Sequence, residues 1–316
     1  MRRRHLLALG PFLTGTGAIL PARAQKMPRV GFLVAGDPEP SWTQFKTAMA
    51  GLGYVDGRNI RFEYRASDAD RDRLDALAVS LVSLEVDAIV AVLSPAVAAA
   101  KRATSSIPII FTGGAPETGT VTNMARPEAN LTGTYGATSI VAGKSVQLFQ
   151  DFKPAARALG LLLNAPDPFH VPLQREVETA ARAINIEIIP TLIRTPGELA
   201  PGVDSLAGRG VDGVMVQPSL SLPATADLAL KHRLPGICFR REFVEVGGLM
   251  SYGANQGDIF RMVAGYVDKV LKGARPADLP VQQATRFELI LNQKTARALG
   301  IVFAPLFLAR ADEVIE

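Results

Sequence analysis

The sequence predicts an α/β protein: two doubly wound parallel-sheet lobes joined by short crossings. Three observations carry this. From Arg29 onward, apolar runs of strand length alternate with stretches of helical period, the pattern of parallel strands linked by crossover helices. Strand starts at 29, 59, 87 and 107 are echoed by starts at 158, 186, 211 and 234, so one layout occurs twice without obvious identity between the halves. Two short strand-like segments rich in small residues, 131–136 (LTGTYG) and 249–255 (LMSYGAN), read as links between the two units.

In the first unit the strands are 29–36 (RVGFLVAG), 59–66 (NIRFEYRA), 87–93 (DAIVAVL) and 107–113 (IPIIFTG). Helices lie between them near 41–54, 70–85 and 95–104. The second of these is the clearest: Leu74, Leu77, Ala78, Leu81 and Val82 share one face, and Asp70, Arg71, Asp72 and Arg73 open its first turn. The second unit has strands at 158–165 (ALGLLLNA), 186–193 (IEIIPTLI), 211–218 (VDGVMVQP) and 234–239 (LPGICF). An amphipathic helix at 256–272, a strand at 287–291, a short helix at 293–299 and an apolar tail to Glu316 follow. If helix 256–272 returns to the first unit, the chain crosses between lobes at least twice. The expected division is 27–135 plus 254–282 for lobe 1 and 136–253 for lobe 2, with 283–316 assigned to neither. Lobes joined by several short crossings can hinge about them.

Composition narrows the function. Of 316 residues 48% are hydrophobic, enough for a large core. The 34 Lys and Arg against 30 Asp and Glu invite a polyanionic partner, but Arg2, Arg3, Arg4 and Arg23 stand in residues 1–24, which hold no acid. From Gln25 onward the count is even, and no nucleic-acid partner is expected.

Residues 1–24 read as a secretory signal peptide: a basic start (MRRRH), an apolar stretch over 6–20, and Ala22-Arg23-Ala24 before Gln25. That stretch is shorter than the roughly 20 apolar residues a bilayer requires, and Pro11, Gly15 and Gly17 interrupt it. The arginine pair Arg3-Arg4 leaves general secretory and twin-arginine export both open.

Catalytic motifs are missing. Cys238 is the single cysteine, set in an apolar strand as an inert thiol, and only His170 and His232 follow the leader. There is no Gly-X-Ser-X-Gly elbow and no His-Glu-X-X-His. Gly143-Lys144-Ser145 is no phosphate loop, because the required earlier glycine is Thr138, and Lys144 reads as an exposed helix residue. Neither an enzyme, a metal site nor a cofactor is expected.

Ligands of open α/β sheets bind outside the carboxyl ends of the strands. That rule selects Asp37 with Trp42, Ser94 with Pro95, and Thr112 with Gly113 in the first unit, and Asn164, Pro166 and Ser219 in the second. Tyr252 and Asn255 lie on the second crossing. Ser94 as N-cap and Pro95 at N1 would leave free N–H groups suited to a carboxylate, or would form an ordinary cap. Trp42 is either an apolar ligand wall or a staple between helix and sheet. Arg240 and Arg241 could hold an acidic group or form salt bridges between domains.

Several stretches resemble a known family: 51–60 (GLGYVDGRNI), 103–111 (ATSSIPIIF), 231–235 (KHRLP), 241–253 (REFVEVGGLMSYG), 265–280 (GYVDKVLKGARPADLP) and 308–316 (LARADEVIE). They are similar to the exported substrate-binding proteins of ABC importers of the tryptophan/tyrosine-type group. The resemblance implies a type 1-like periplasmic-binding-protein fold that captures a small ligand between its lobes and delivers it to an ABC permease at the membrane. It further implies an amino acid or related small carboxylate as ligand, a periplasmic location and a monomer. A ligand-sensing module for a receptor is the alternative. The stretch Gly114-Ala115-Pro116-Glu117 departs from the Gly-Asp-Pro that members often carry there.

Overall fold

The computed structural model describes residues 27–36, 39–67, 71–127, 129–220 and 222–316. The leader read at 1–24 and the candidate Asp37 lie outside the described residues.

The first part of the chain runs β1 (Arg29–Val34), α1 (Ser41–Gly51), β2 (Arg61–Ala66), α2 (Arg71–Ser83), β3 (Ala88–Val92), α3 (Ser94–Ala103), β4 (Ile109–Thr112) and β5 (Leu131–Tyr135). The second part runs α4 (Thr138–Phe152), β6 (Ala158–Asn164), α5 (His170–Ala183), β7 (Glu187–Ile193), α6 (Leu199–Gly208), β8 (Val214–Val216), α7 (Leu222–Lys231), β9 (Gly236–Cys238), α8 (Arg241–Glu245) and β10 (Met250–Ala254). Then come α9 (Gln256–Leu271), β11 (Gln282–Gln283), β12 (Phe287–Asn292), α10 (Gln293–Leu299), α11 (Pro305–Leu308) and β13 (Glu313–Ile315).

These strands form two sheets. The first is parallel throughout, in the order β11-β5-β4-β3-β1-β2. The second has the order β13-β12-β10-β9-β8-β6-β7 and is parallel except where β10 meets β12. Parallel strands need cover on both faces, which is why β3 is apolar throughout and β1 from Val30 onward. On one face Val30, Phe32 and Val34 pack with Phe45 and Met49 of α1 and Phe260, Val263 and Val267 of α9. On the other, Leu33, Ile89 and Phe111 pack with Leu74 and Leu81 of α2 and Val97 of α3. The second sheet is covered likewise, by α4 and α5 through Phe149, Leu173 and Val177 and by α6 and α8 through Leu206 and Phe243. Each such buried side chain contributes about 1.5–3 kcal/mol.

The segments read as links are strands inside the sheets. β5 lies between β4 and β11, and β10 between β9 and β12. Their small residues serve close packing: a Cβ at Gly133 or Gly253 would overlap the carbonyl oxygen of Phe111 or Phe239. The links themselves are shorter, at 136–137, 255 and 284–286, so the chain crosses three times. They are tied together by the N–H of Ala284 donating to the Tyr135 carbonyl at 2.9 Å and that of Asn255 donating to the Arg286 carbonyl at 3.0 Å. No helix among the described residues is long and apolar enough to cross a membrane.

Candidate functional site

The carboxyl ends of β3 and β4 face those of β8 and β9 across a cleft. Between them lies a cavity of about 60 Å³, bounded by Leu93, Thr112, Gly113 and Gly136 on one side and Pro218, Phe239 and Arg240 on the other. Ala254, Gln256 and Ile259 complete it at the second crossing. A second cavity of about 300 Å³ opens between Leu74, Pro95, Ala98 and Arg102 of the first lobe and Ala165, Pro166 and Pro168 of the second. The lobes are in contact around both. The Phe169 ring of the second lobe occupies the place where Gly114 of the first would carry a side chain. Arg240 Nη2 donates to Ser41 Oγ across the cleft at 2.8 Å.

On the first lobe the cleft wall is mostly backbone. Leu93, directly after β3, stands at φ 72° and ψ 154°, a conformation seldom adopted by residues with a side chain. Gly113, at φ 146°, lies against it, and a Cβ there would come within 3.0 Å of Leu93 Cα. This corrects the cap expected at Ser94. The sharp turn is made by Leu93 alone, so Leu93 stands at the cap position, Ser94 is the first helical residue and its side chain makes no cap hydrogen bond. Ser94 is buried, and Pro95 points into the larger cavity.

On the second lobe the wall is a polar network. The buried carboxylate of Asp167 accepts from Ser219 Oγ at 2.6 Å, Gln217 Nε2 at 2.7 Å and the Phe169 N–H at 3.0 Å. Asn164 Nδ2 donates to Ser219 Oγ at 3.1 Å, and the Asn164 N–H donates to Gln217 Oε1 at 2.9 Å. Burial pushes the Asp167 carboxyl above its ordinary 3.8, and its three donors recover only part of that rise. Beside this network the Arg240 guanidinium grips Glu242 with two bonds, Nε to Oε2 at 3.0 Å and Nη2 to Oε1 at 2.6 Å. Burial works to raise the Glu242 carboxyl, but Arg240 overrides it and holds the carboxyl below its ordinary 4.5. Burial likewise opposes the charge of Arg240, and Glu242 more than restores it.

The structure brings Thr112 and Gly113 to the smaller cavity and Pro95 and Pro166 to the larger. Asn164 and Ser219 meet each other in the polar network. Trp42 packs among Phe32, Phe45, Phe62 and Tyr64, with ring centroids 5.1–6.2 Å away, and so staples α1 to β1 and β2. Tyr252 lies against Phe287 with centroids 6.3 Å apart. Asn255 caps α9, accepting from the Asp258 N–H at 2.8 Å and donating to Glu288 Oε1 at 2.6 Å. Cys238 is buried on β9, which pushes its thiol up to about 12, and Lys144 is an exposed residue of α4. Arg241 pairs with Glu245 and Glu313.

Of the residues at the smaller cavity, the strand ends select Arg240, as a holder of an acidic group or a salt-bridge former, and miss Leu93, Gly136, Phe239 and Gln256. Gly136 and Gln256 flank crossings, so asking where the chain passes between lobes finds them. Phe239 directly follows β9, so counting from the first residue after the strand finds it. The strained backbone of Leu93 leaves no mark in its side chain.

The family model described as ABC transporter substrate binding protein matches residues 41–315. A tyrosine-binding protein of Clostridioides difficile (strain R20291) is 27% identical over 265 residues, covering 81% of this chain and 75% of that protein. The crystal structure of an ABC domain from Streptococcus pneumonia in complex with L-Trp is similar with a TM-score of 0.81 at 24% identity, covering 91% of this chain and 99% of that one. A ligand-free, open substrate binding protein from Clostridium difficile, also 24% identical with the same coverage, gives a TM-score of 0.61. A match over 41–315, together with two parallel-sheet lobes closed on a cleft, places the chain in the family of ABC transporter substrate binding proteins.

Proposed function

We propose that this protein captures an amino acid between its two lobes, outside the cytoplasm and as a monomer, and presents the closed form to the permease of an ABC importer. The observation that carries the reading is the cleft itself. Both lobes contribute to one cavity at the carboxyl ends of their strands, so a ligand held there stabilises the closed arrangement over the open one. In this reading the first lobe offers Thr112, Gly113 and the start of α3 at Ser94 and Pro95, while the second offers Pro166 and the Asn164–Ser219 network. Tyr252 and Asn255 brace the crossing, and Trp42 holds α1, with Ser41 at its start, in place.

The tyrosine-binding relative and the tryptophan complex support an aromatic amino acid as the ligand. Small-molecule sites usually enclose about 300–1,000 Å³. Of the two cavities between the lobes, the one of about 300 Å³ reaches the lower end of that range and the one of about 60 Å³ adjoins it as a narrower space. A thermal-shift screen of the purified protein against the amino acids tests this: L-tyrosine or L-tryptophan should raise the melting temperature in a concentration-dependent way. A protein that no amino acid stabilises would contradict the reading.

A further inference from the structure

Arg240 carries chemistry that its salt bridge does not exhaust. Its side chain is only 11% exposed and that of Glu242 only 6%, so both charges are held away from bulk water at the cavity wall. An arginine has five N–H donors. The Nε and Nη2 edge is taken by Glu242, and Nη2 also reaches Ser41 Oγ. Among the described residues no acceptor meets Nη1, so its two N–H groups stay free on a residue that lines the smaller cavity. A guanidinium can hold a second carboxylate on its remaining donors.

We propose that Nη1 of Arg240 is the receptor for the ligand's carboxylate, and that the pairing with Glu242 restricts the ligand to a net-neutral zwitterion. This rests on the reading of the cleft as an amino-acid site. Glu242 already balances the guanidinium, so a ligand bringing one net negative charge would leave the enclosed site negative, where Coulomb repulsion is poorly screened. A zwitterion leaves it neutral, which favours an amino acid over a plain carboxylic acid. The bond to Ser41 links acid recognition to closure, because Ser41 belongs to the first lobe and steadies the guanidinium only when the lobes meet.

The test compares three probes by calorimetric titration: L-tyrosine, L-tyrosinamide, which lacks the acid, and 3-(4-hydroxyphenyl)propionate, which lacks the amine. The native protein should bind L-tyrosine roughly ten- to hundredfold more tightly than either analogue, the range expected of charge-assisted hydrogen bonds. Replacing both partners, Arg240→Gln with Glu242→Gln, should bring L-tyrosine and its amide to within about threefold of each other, because little then remains of the charge-assisted preference. Arg240→Lys keeps a cation beside Glu242, guards against misfolding and should show the same loss, since an ammonium has no rigid plane that holds Glu242 by one edge and presents a further nitrogen beyond it. A folded double variant, or a folded Arg240→Lys protein, that still rejects the amide as the native protein does would overturn the assignment to Arg240. Failure of the native protein to bind any of the three would instead overturn the aromatic amino-acid reading, and the assignment with it.

Discussion

The two lobes meet the cleft with different materials. The first presents backbone and small groups, Leu93 to Ser94 and Thr112 to Gly114, whereas the second presents side chains locked to one another, Asn164–Ser219–Asp167–Gln217 and Arg240–Glu242. A wall of backbone fixes shape and a wall of paired polar groups fixes chemistry. Under the proposed function, the second lobe would set selectivity and the first would set the fit on closure.

The largest break comes from the ion pair. Arg240→Ala strands the Glu242 carboxylate in a buried place and should cost about 3–5 kcal/mol of unfolding free energy in denaturant titration, while the double glutamine variant costs much less. Glu242 also has a pH signature. With its folded value below the ordinary 4.5, it stabilises the protein above that value, and this contribution fades as pH falls through the folded value.

Asp167 comes next. Every group bonded to its carboxylate is a donor, so Asp167→Asn turns one acceptor into a donor facing a donor and should cost about 1–3 kcal/mol. Because burial raises the Asp167 carboxyl, its ionisation costs stability as pH rises from the ordinary 3.8 through the folded value. The stability gap between native protein and variant should therefore narrow from pH 4 upward, the opposite slope to that of Glu242; a gap that widens would place the charge balance elsewhere.

Closure is tested on the other lobe. Gly114→Val puts a side chain where the Phe169 ring of the second lobe's core sits, so it should weaken ligand binding about tenfold or more by opposing the closed form. An affinity equal to that of the native protein would remove the lobe contact from the account. The smallest effect is expected at Ser94→Ala, a few-fold loss of affinity with little change in melting temperature, since Ser94 makes no cap bond.

The alternation of strand and helix was readable because buried parallel strands demand continuous apolar runs. The helix at 256–272 was readable from its amphipathic face, and it does return to cover the first sheet. β11 and β13 escaped because two or three residues carry no period, and β5 and β10 were read as links because glycine marks both flexibility and tight packing. Thr112 and Gly113 were found by the strand-end rule. The pairing of Arg240 with Ser41 was not, because residues 199 positions apart meet only through the closing of two lobes.

The central claim is that a ligand between the lobes holds them closed. Spin labels at Val79→Cys and Val171→Cys, on exposed positions of the two lobes, can report it directly, since the buried Cys238 thiol does not compete for label. The account predicts a broad or long inter-label distance without ligand that shortens and narrows on adding L-tyrosine or L-tryptophan, whichever the screen shows to bind. A distance distribution unchanged at saturating ligand would contradict it.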